Sequence, residues 1–108
     1  SGANSRLVME DLTAFQRDIL YVVAGTDEPH GLGIKAELDD YYEGDINHGR
    51  LYPNLDDLVE TDLLEKGTHD QRTNSYTLTE DGLQTIQRRR QWESAYLSDT
   101  KRVNRSDL

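Results

Sequence analysis

The sequence predicts an α+β fold in which three helices precede a two-stranded β-hairpin and a fourth helix follows it. In three successive segments, apolar residues recur at steps of three and four, as they do on the buried side of amphipathic helices. Residues 63–79 instead combine period-two alternation with a polar centre, which is typical of a hairpin with one buried face. At 108 residues, the chain has the length of one domain with a modest core.

The first helix is predicted over residues 11–25. Thr13 and Gln16 have the spacing of a capping box, and Gly25 stands where a helix commonly ends. An apolar stripe on this segment predicts a core helix, and it consists of Phe15, Ile19, Val22 and Val23.

Turn-forming residues concentrate in residues 26–33 and predict a loop. Gly31 and Gly33 alone do not indicate a nucleotide site, because no preceding strand, third glycine or P-loop lysine accompanies them. The second helix is predicted over residues 34–42, with Ile34, Leu38 and Tyr41 at helical spacing. We expect it to brace the helix that follows.

The third helix has a buried side and a polar first turn. Its buried side is predicted from Leu51, Leu55, Leu58 and Val59. Asn47 can cap the N-terminus, which leaves His48, Gly49 and Arg50 in the first turn, where a helix that reads DNA presents polar groups to phosphates and base edges.

Two residues of this helix leave alternatives open. Pro53 predicts either a kink or a helix that begins at Pro53 itself, because proline lacks the N–H of the helical ladder. Tyr52 either packs on the sugar–phosphate chain of DNA or covers the protein core.

Two short strands are predicted at residues 63–66 and 75–79, where Tyr76 and Leu78 alternate with polar residues. The tip between them is polar and suits contact with the DNA backbone or minor groove, although a solvated loop would have the same composition. The DNA-contacting residues predicted in the tip are Arg72, Thr73 and Asn74.

The last helix is predicted to begin after Thr79, with Glu80 and Asp81 at the positive end of its dipole. Near its end lies an apolar patch that a small monomer would have difficulty burying, formed by Trp92, Ala95, Tyr96 and Leu97. We therefore expect this helix to form a homodimer. The basic run at residues 88–90 is either a solvated face paired with acidic neighbours or a contact to phosphate.

These elements predict four regions. Residues 1–10 are expected to be a flexible lead, 11–79 a DNA-binding domain, 80–98 a dimerisation helix and 99–108 a flexible tail.

The net charge of −9 is unusual for a DNA-binding protein, because such a surface repels phosphate. Residues 1–65 hold four basic and fifteen acidic residues, whereas residues 66–108 hold eight basic and six acidic ones. The acidity indicates either a salt-loving host or an ordinary acidic interaction domain. We expect no cofactor other than weakly bound K⁺ or Na⁺ ions at the acidic surface.

Several classes of function are disfavoured. The absence of cysteine excludes disulfides, thiolate metal sites and a thiol-based redox sensor within this chain. No apolar run approaches the ~20 residues of a membrane span, so we expect a soluble, cytoplasmic protein without a membrane partner. The three histidines are isolated in the sequence and no nucleophile or His-Glu-x-x-His motif occurs, so neither an enzyme nor a metal site is predicted.

Residues 49–67, GRLYPNLDDLVETDLLEKG, resemble the signature of the PadR family of winged-helix transcriptional regulators, and the similarity extends over about residues 12–97. The resemblance implies a winged helix-turn-helix, binding of double-stranded DNA at palindromic promoter sites, and a homodimer made by the C-terminal helix. The sequence departs from the family pattern at Thr61 and Asp62, where a glycine often precedes the two leucines of the wing. The acidic composition points to the haloarchaeal branch of this family. Resemblance to that branch implies a regulator of the oxidative-stress response, in which oxidant sensing would be indirect because the chain has no cysteine.

Two other functions remain open. The chain could be an acidic winged-helix module that binds protein and not DNA. It could also be a repressor that senses a small molecule, with Trp92 and Tyr96 lining a pocket at the dimer interface. The sequence does not identify such an effector.

Overall fold

The computed structural model describes residues 11–27, 29–68 and 74–98 of the chain. Four helices and one hairpin follow one another in the order α1 (Ala14–Gly25), α2 (Gly31–Tyr42), α3 (His48–Glu60), β1 (Leu64–Thr68), β2 (Asn74–Leu78) and α4 (Glu80–Leu97). This is the predicted winged helix-turn-helix with an additional C-terminal helix. In the part of the chain that the structure describes, no helix is both long and apolar enough to cross a membrane.

Helix α1 is central to the core, because it packs against α2, α3, α4 and β2. Fully burying one large aliphatic side chain contributes roughly 1.5–3 kcal/mol, so the core depends mainly on a set of leucines and isoleucines from the four helices and β1. The largest side chains with almost no exposed surface are Tyr76, Ile19, Leu20, Ile34, Leu38, Leu51, Leu55, Leu58, Leu63 and Leu64.

The predicted capping box of α1 is confirmed. The N–H of Gln16 donates to Thr13 Oγ1 at 3.1 Å, and the N–H of Thr13 donates to Gln16 Oε1 at 3.1 Å. Phe15, Ile19 and Val23 are buried as expected. The helix therefore begins at a fixed point, and this point lies close to α3.

Helix α2 begins at Gly31, three residues before its predicted start, so the loop predicted over residues 26–33 is too long. His30 is the reason, because its Nδ1 accepts the N–H of Gly33 at 3.3 Å and caps the helix. Gly31 also makes room for Tyr52, since a Cβ at this position would collide with the hydroxyl of Tyr52 unless that side chain moved.

The expectation that Tyr41 shares the buried side of α2 is wrong. Ile34 and Leu38 are buried, but Tyr41 is 71% exposed and packs edge-on against Tyr42 at 5.3 Å between ring centroids. The side of α2 that faces the core continues from Leu38 at a step of four to Tyr42, whose ring lies 6.0 Å from that of the buried Phe15, and Tyr41 therefore points away from it.

Helix α3 begins at His48 with Asn47 as its N-cap, so the capping prediction is confirmed and the alternative start at Pro53 is wrong. The helix continues through Pro53, whose ring is exposed. After Glu60 the chain turns through Asp62, which has the left-handed φ of 66°. Asp62 lies where a glycine often precedes the two leucines of the wing in the family pattern. It adopts the backbone conformation that a glycine adopts most easily.

The two strands pair antiparallel, with Leu64 opposite Leu78 and Thr68 opposite Asn74. Both strand predictions are shifted by one or two residues, because Gly67 and Thr68 continue β1 and Thr79 is the N-cap of α4. Tyr76 is buried and Leu78 is half-buried, as the alternation predicts.

Helix α4 is joined to the body of the protein at two places. Gly82 lies so close to β1 that a Cβ there would collide with the carbonyl oxygen of Leu63. Farther along, the hydroxyl of Tyr21 donates to the carbonyl of Ile86 at 3.2 Å. Residues 91–98 are all exposed, so the second half of α4 projects from the body.

Candidate nucleic-acid interface

The turn between α2 and α3 fixes where α3 begins. Asp39 accepts the backbone N–H of Ile46 at 2.5 Å and the ammonium of Lys35 at 2.8 Å. Lys35 also donates to Asp45 at 2.6 Å. The hydrogen bond from Lys35, together with that from Ile46, lowers the pKa of Asp39, and the two carboxylates raise the pKa of Lys35. This cluster holds the start of α3 against the end of α2.

Four of the predicted DNA contacts, residues 47–50, are exposed at this start. The Oδ1 of Asn47 accepts the N–H of Gly49 at 2.5 Å, so one side of this amide is used in capping. Among the described residues, a Cβ at Gly49 would meet only the side-chain amide of Asn47. The backbone of Gly49 is therefore open to the approach of another molecule.

Tyr52 lies between the first turn of α3 and the first turn of α2. Its ring is 5.6 Å from that of His48 in an edge-on arrangement, and its hydroxyl faces Gly31. It is half-buried and packs against the core. The structure therefore shows the core contact, and contact between Tyr52 and a sugar–phosphate chain stays a prediction.

Arg50 turns back from α3 across the beginning of α1. Its guanidinium carbon lies 4.0 Å from the centroid of the Phe15 ring. The carbonyl of Arg50 accepts a hydrogen bond from Asn54 at 2.7 Å, and Asn54 in turn accepts one from Gln16 at 3.1 Å. The sequence does not predict these contacts, because periodicity places Phe15 in the core and spacing places Gln16 in the cap.

The rest of the exposed side of α3 is acidic, with Asp56, Asp57 and Glu60 all exposed. Lys66 of β1 lies 4.0 Å from Asp56, a separation at which a surface ion pair contributes little. Beyond its first turn, this helix would therefore repel a phosphate chain.

Asn74 is exposed but belongs to β2, where it pairs with Thr68. The sequence predicts Asn74 within the loop of the tip, but it lies at the end of a strand. Arg72 and Thr73, the other predicted contacts of the hairpin, lie outside the described residues, as do the predicted lead and tail at residues 1–10 and 99–108.

The predicted dimer patch is exposed at the end of α4. Trp92 is 53% exposed, Tyr96 68% and Leu97 71%, and Ala95 is exposed beside them. The Trp92 and Tyr96 rings meet edge-on at 5.1 Å. Arg89 covers one face of Trp92 at 4.5 Å and pairs with Glu93 at 2.9 Å, so one arginine of the basic run has an acidic neighbour as its partner.

A helix-turn-helix with an exposed polar first turn, followed by a two-stranded hairpin, defines the winged-helix class. Within this class, the PadR-like transcriptional regulator family matches residues 19–88, more than half of the chain. The protein therefore belongs to the PadR-like family, and it is a transcriptional regulator and not an enzyme.

Solved structures agree with this assignment. The chain is 48% identical to RosR of H. salinarum, with a TM-score of 0.77 and coverage of 83% of this chain and 82% of that one. The complex structure of hsRosR-S1 is similar at 48% identity, with a TM-score of 0.78 and coverage of 83% and 80%. These similarities support the expected haloarchaeal branch.

A PadR-like transcription factor from Bacteroides fragilis is 19% identical, with a TM-score of 0.63 over 78% of this chain and 84% of that one, and this similarity shows the fold alone. A search of curated proteins found no match.

Proposed function

We propose that the protein acts as a homodimer that binds palindromic promoter sites in double-stranded DNA, in a cell with a high salt concentration. The observation that carries this proposal is the exposed polar turn of residues 47–50, which directly follows the turn held by Asp39 and Lys35 in a PadR-like fold. A helix start with exposed donors in a defined position is what a reader of base edges needs.

The homodimer is supported by the end of α4. Three large apolar side chains more than half exposed on one projecting helix form a surface that binding to a second copy would remove from water. Because two-fold symmetry repeats the reading helix, the half-sites are expected about 10 base pairs apart, or a multiple of this spacing.

The residues divide into two roles. Asn47, His48 and Arg50 are proposed to contact base edges or phosphates, with Gly49 allowing close approach and Tyr52 bordering the contact. In the hairpin, Arg72, Thr73 and Asn74 are proposed to contact the backbone without reading sequence.

A pair of substitutions tests these roles. Binding sites are first selected from random duplex DNA by the unmodified protein, and the affinity of each variant is then measured for every single-base change. Arg50→Ala is expected to cost about 1–3 kcal/mol and to relax preference at one base pair. Arg72→Ala is expected to weaken binding to all sequences equally. Unchanged binding in both variants would remove this assignment.

The alternative of a protein-interaction module is favoured by one observation, the acidic side of α3 at Asp56, Asp57 and Glu60. This alternative requires that the unmodified protein selects no DNA at either low or high salt. Selection of a palindrome under either condition decides for the DNA-binding function.

A further inference from the structure

The side chain of Arg50 is supported by α1, the helix that packs behind the proposed reading helix. Its guanidinium lies over the ring of Phe15, which is only 5% exposed, while Arg50 itself is exposed. A long, flexible side chain at a helix start would otherwise lose much rotamer freedom on binding. The ring beneath it reduces the number of directions that the guanidinium can take.

This stack is compatible with donation to DNA. A guanidinium is planar, so it can cover a ring with one face while its N–H groups point outward in the same plane. Guanine presents O6 and N7 as two acceptors in the major groove, which match that planar set of donors. Arg50 can therefore keep its contact with Phe15 and read a guanine at the same time.

The backbone of Arg50 is also tied to α1, by a chain of side-chain amides. Gln16 is buried, and its Oε1 accepts from the N–H of Thr13, so its NH₂ group is the one directed at Asn54. Asn54 accepts this bond and donates to the carbonyl of Arg50 at 2.7 Å. Each of the two side-chain amides donates one hydrogen bond and accepts one. Exchanging the positions of the oxygen and the nitrogen in either amide would therefore break both of its bonds.

The ring of Phe15 is itself restrained from the α2 side. It lies 6.0 Å from the ring of Tyr42, whose hydroxyl donates to Asp18 of α1. The Phe15 ring therefore lies next to both Arg50 of α3 and Tyr42 of α2, and the packing of α1 against α2 limits its movement.

We infer that Phe15 is a positioning residue that directs Arg50 toward one base pair, so that sequence preference depends on a ring that does not itself read DNA. This inference rests on the proposed function. It differs from a purely structural role for Phe15, because a structural role would change stability and total affinity without changing preference at a single base pair.

The test uses the full chain and Phe15→Leu, which keeps an apolar side chain in the core but removes the ring. Phe15→Leu is expected to lower affinity for the selected site about fivefold, because an Arg50 side chain that the ring no longer holds would lose more rotamer freedom when it binds DNA. It should relax preference at the same base pair as Arg50→Ala. When combined with Arg50→Ala, it should have no further effect, because the partner of the ring is already absent.

Two variants serve as controls. Val23→Ala removes buried volume from the far end of α1 and should lower stability while leaving base preference unchanged. Arg50→Lys keeps the positive charge but not the planar donors, so it should lose the preference at that base pair while retaining much of the salt-dependent affinity.

Three outcomes would overturn the inference and leave the proposed function standing. The first is that Phe15→Leu loses affinity equally for all sequences, as Val23→Ala would, and the second is that its loss adds fully to that of Arg50→Ala. The third is a gain in affinity, which would show that the stack competes with DNA. If the unmodified protein selects no sequence, the proposed function fails, and the inference fails with it.

Discussion

Asp39 accepts the backbone N–H of Ile46 at 2.5 Å across the turn between α2 and α3. Asp39 belongs to the last turns of α2, and Ile46 is a buried residue just before the cap of α3. The carboxylate thus joins the two helices directly, and Lys35 holds it in place from the same side. This ionised group therefore helps to fix where the proposed reading helix begins.

Asp39→Asn is expected to lower stability at neutral pH and to reduce the loss of stability in acid. The hydrogen bond from Lys35 and then that from Ile46 lower the pKa of Asp39 below its ordinary value of 3.8. A lowered pKa means that the stabilisation is present above pH 3.8 and is lost as the pH falls through the folded-state value. The urea midpoint, measured at constant KCl between about pH 2.5 and pH 7, should fall more steeply for the unmodified protein than for the variant.

Asp40→Asn is the matched control, because it removes the same charge from an exposed neighbour in the same turn. If the two variants have the same pH dependence, the acid sensitivity comes from the total charge and not from the turn.

Asp62→Gly is expected to stabilise the protein by about 1 kcal/mol, since the left-handed conformation costs a residue with a Cβ roughly this amount. Asp62 has a φ of 66°, and its N–H still bonds to the carbonyl of Val59 at 3.1 Å. Thermal unfolding should show a higher midpoint. Asp62→Ala separates charge from conformation, because it also removes the carboxylate but retains a Cβ. If Asp62→Ala is as stable as Asp62→Gly, backbone strain is not the cause.

Gly82→Ala is expected to destabilise the protein by about 1–3 kcal/mol, the usual cost of forcing an additional group into close packing. The new Cβ would collide with the carbonyl oxygen of Leu63 and lie 3.1 Å from a methyl group of Leu78. Gly25→Ala at the end of α1 is the control, because, apart from the adjoining backbone, no atom of the described residues lies within 4 Å of a Cβ there. Urea unfolding of the two variants should separate clearly. Equal stabilities would mean that α4 can shift away from β1 without cost.

The elements and the reading turn could be predicted because their signals are local. Thr13 and Gln16 are three residues apart, and the Asn47 cap is followed directly by its helix. Such contacts are encoded in spacing alone. The sequence does not predict the early start of α2, because its two glycines disfavour a helix and the packing of Tyr52 against Gly31 joins residues far apart in the chain.

The contacts that support Arg50 could not be predicted, because they join residues that are far apart in the sequence. Gln16 and Asn54 are separated by 38 residues, and their hydrogen bond exists only once α1 and α3 pack together. Periodicity assigns Phe15 to the core but does not show that an arginine covers its ring. The one available signal was a glutamine within an apolar stripe, which requires a polar partner when it is buried.

Trp92→Ala is expected to weaken the homodimer by a few kcal/mol if Trp92 lies at the centre of the interface. Trp92 contacts both Arg89 and Tyr96, so its removal also loosens the rest of the patch. Light scattering over a dilution series should show a dimer for the unmodified protein and a monomer for the variant at the same concentration. Leu32→Ala is the control, since it removes an exposed apolar side chain from α2. A monomeric unmodified protein at micromolar concentration would contradict the prediction.

The acidity of α3 leads to a prediction about salt. A basic repressor that makes 6–10 phosphate contacts loses roughly 10³–10⁵ in affinity between 50 and 200 mM salt, because salt opposes the release of counterions. Here Asp56 and Asp57 are exposed on the proposed reading helix, and Asp45 lies beside its start. At low salt these carboxylates repel phosphate.

The protein is therefore expected to take up K⁺ or Na⁺ between carboxylates and phosphates when it binds DNA, and its affinity should stay level or rise with salt. Screening acts in the same direction, since the Debye length falls to ~3 Å at 1 M salt. The measurement is the dissociation constant for the selected site from about 0.2 to 2 M KCl. Replacing Asp56 and Asp57 together by Asn should strengthen DNA binding at the lowest KCl concentrations of this range. The affinity of this variant should then fall as the KCl concentration rises. A steep loss of affinity with salt in the unmodified protein would show that it binds DNA by ordinary counterion release. The carboxylates of α3 would then take up no cations when the complex forms.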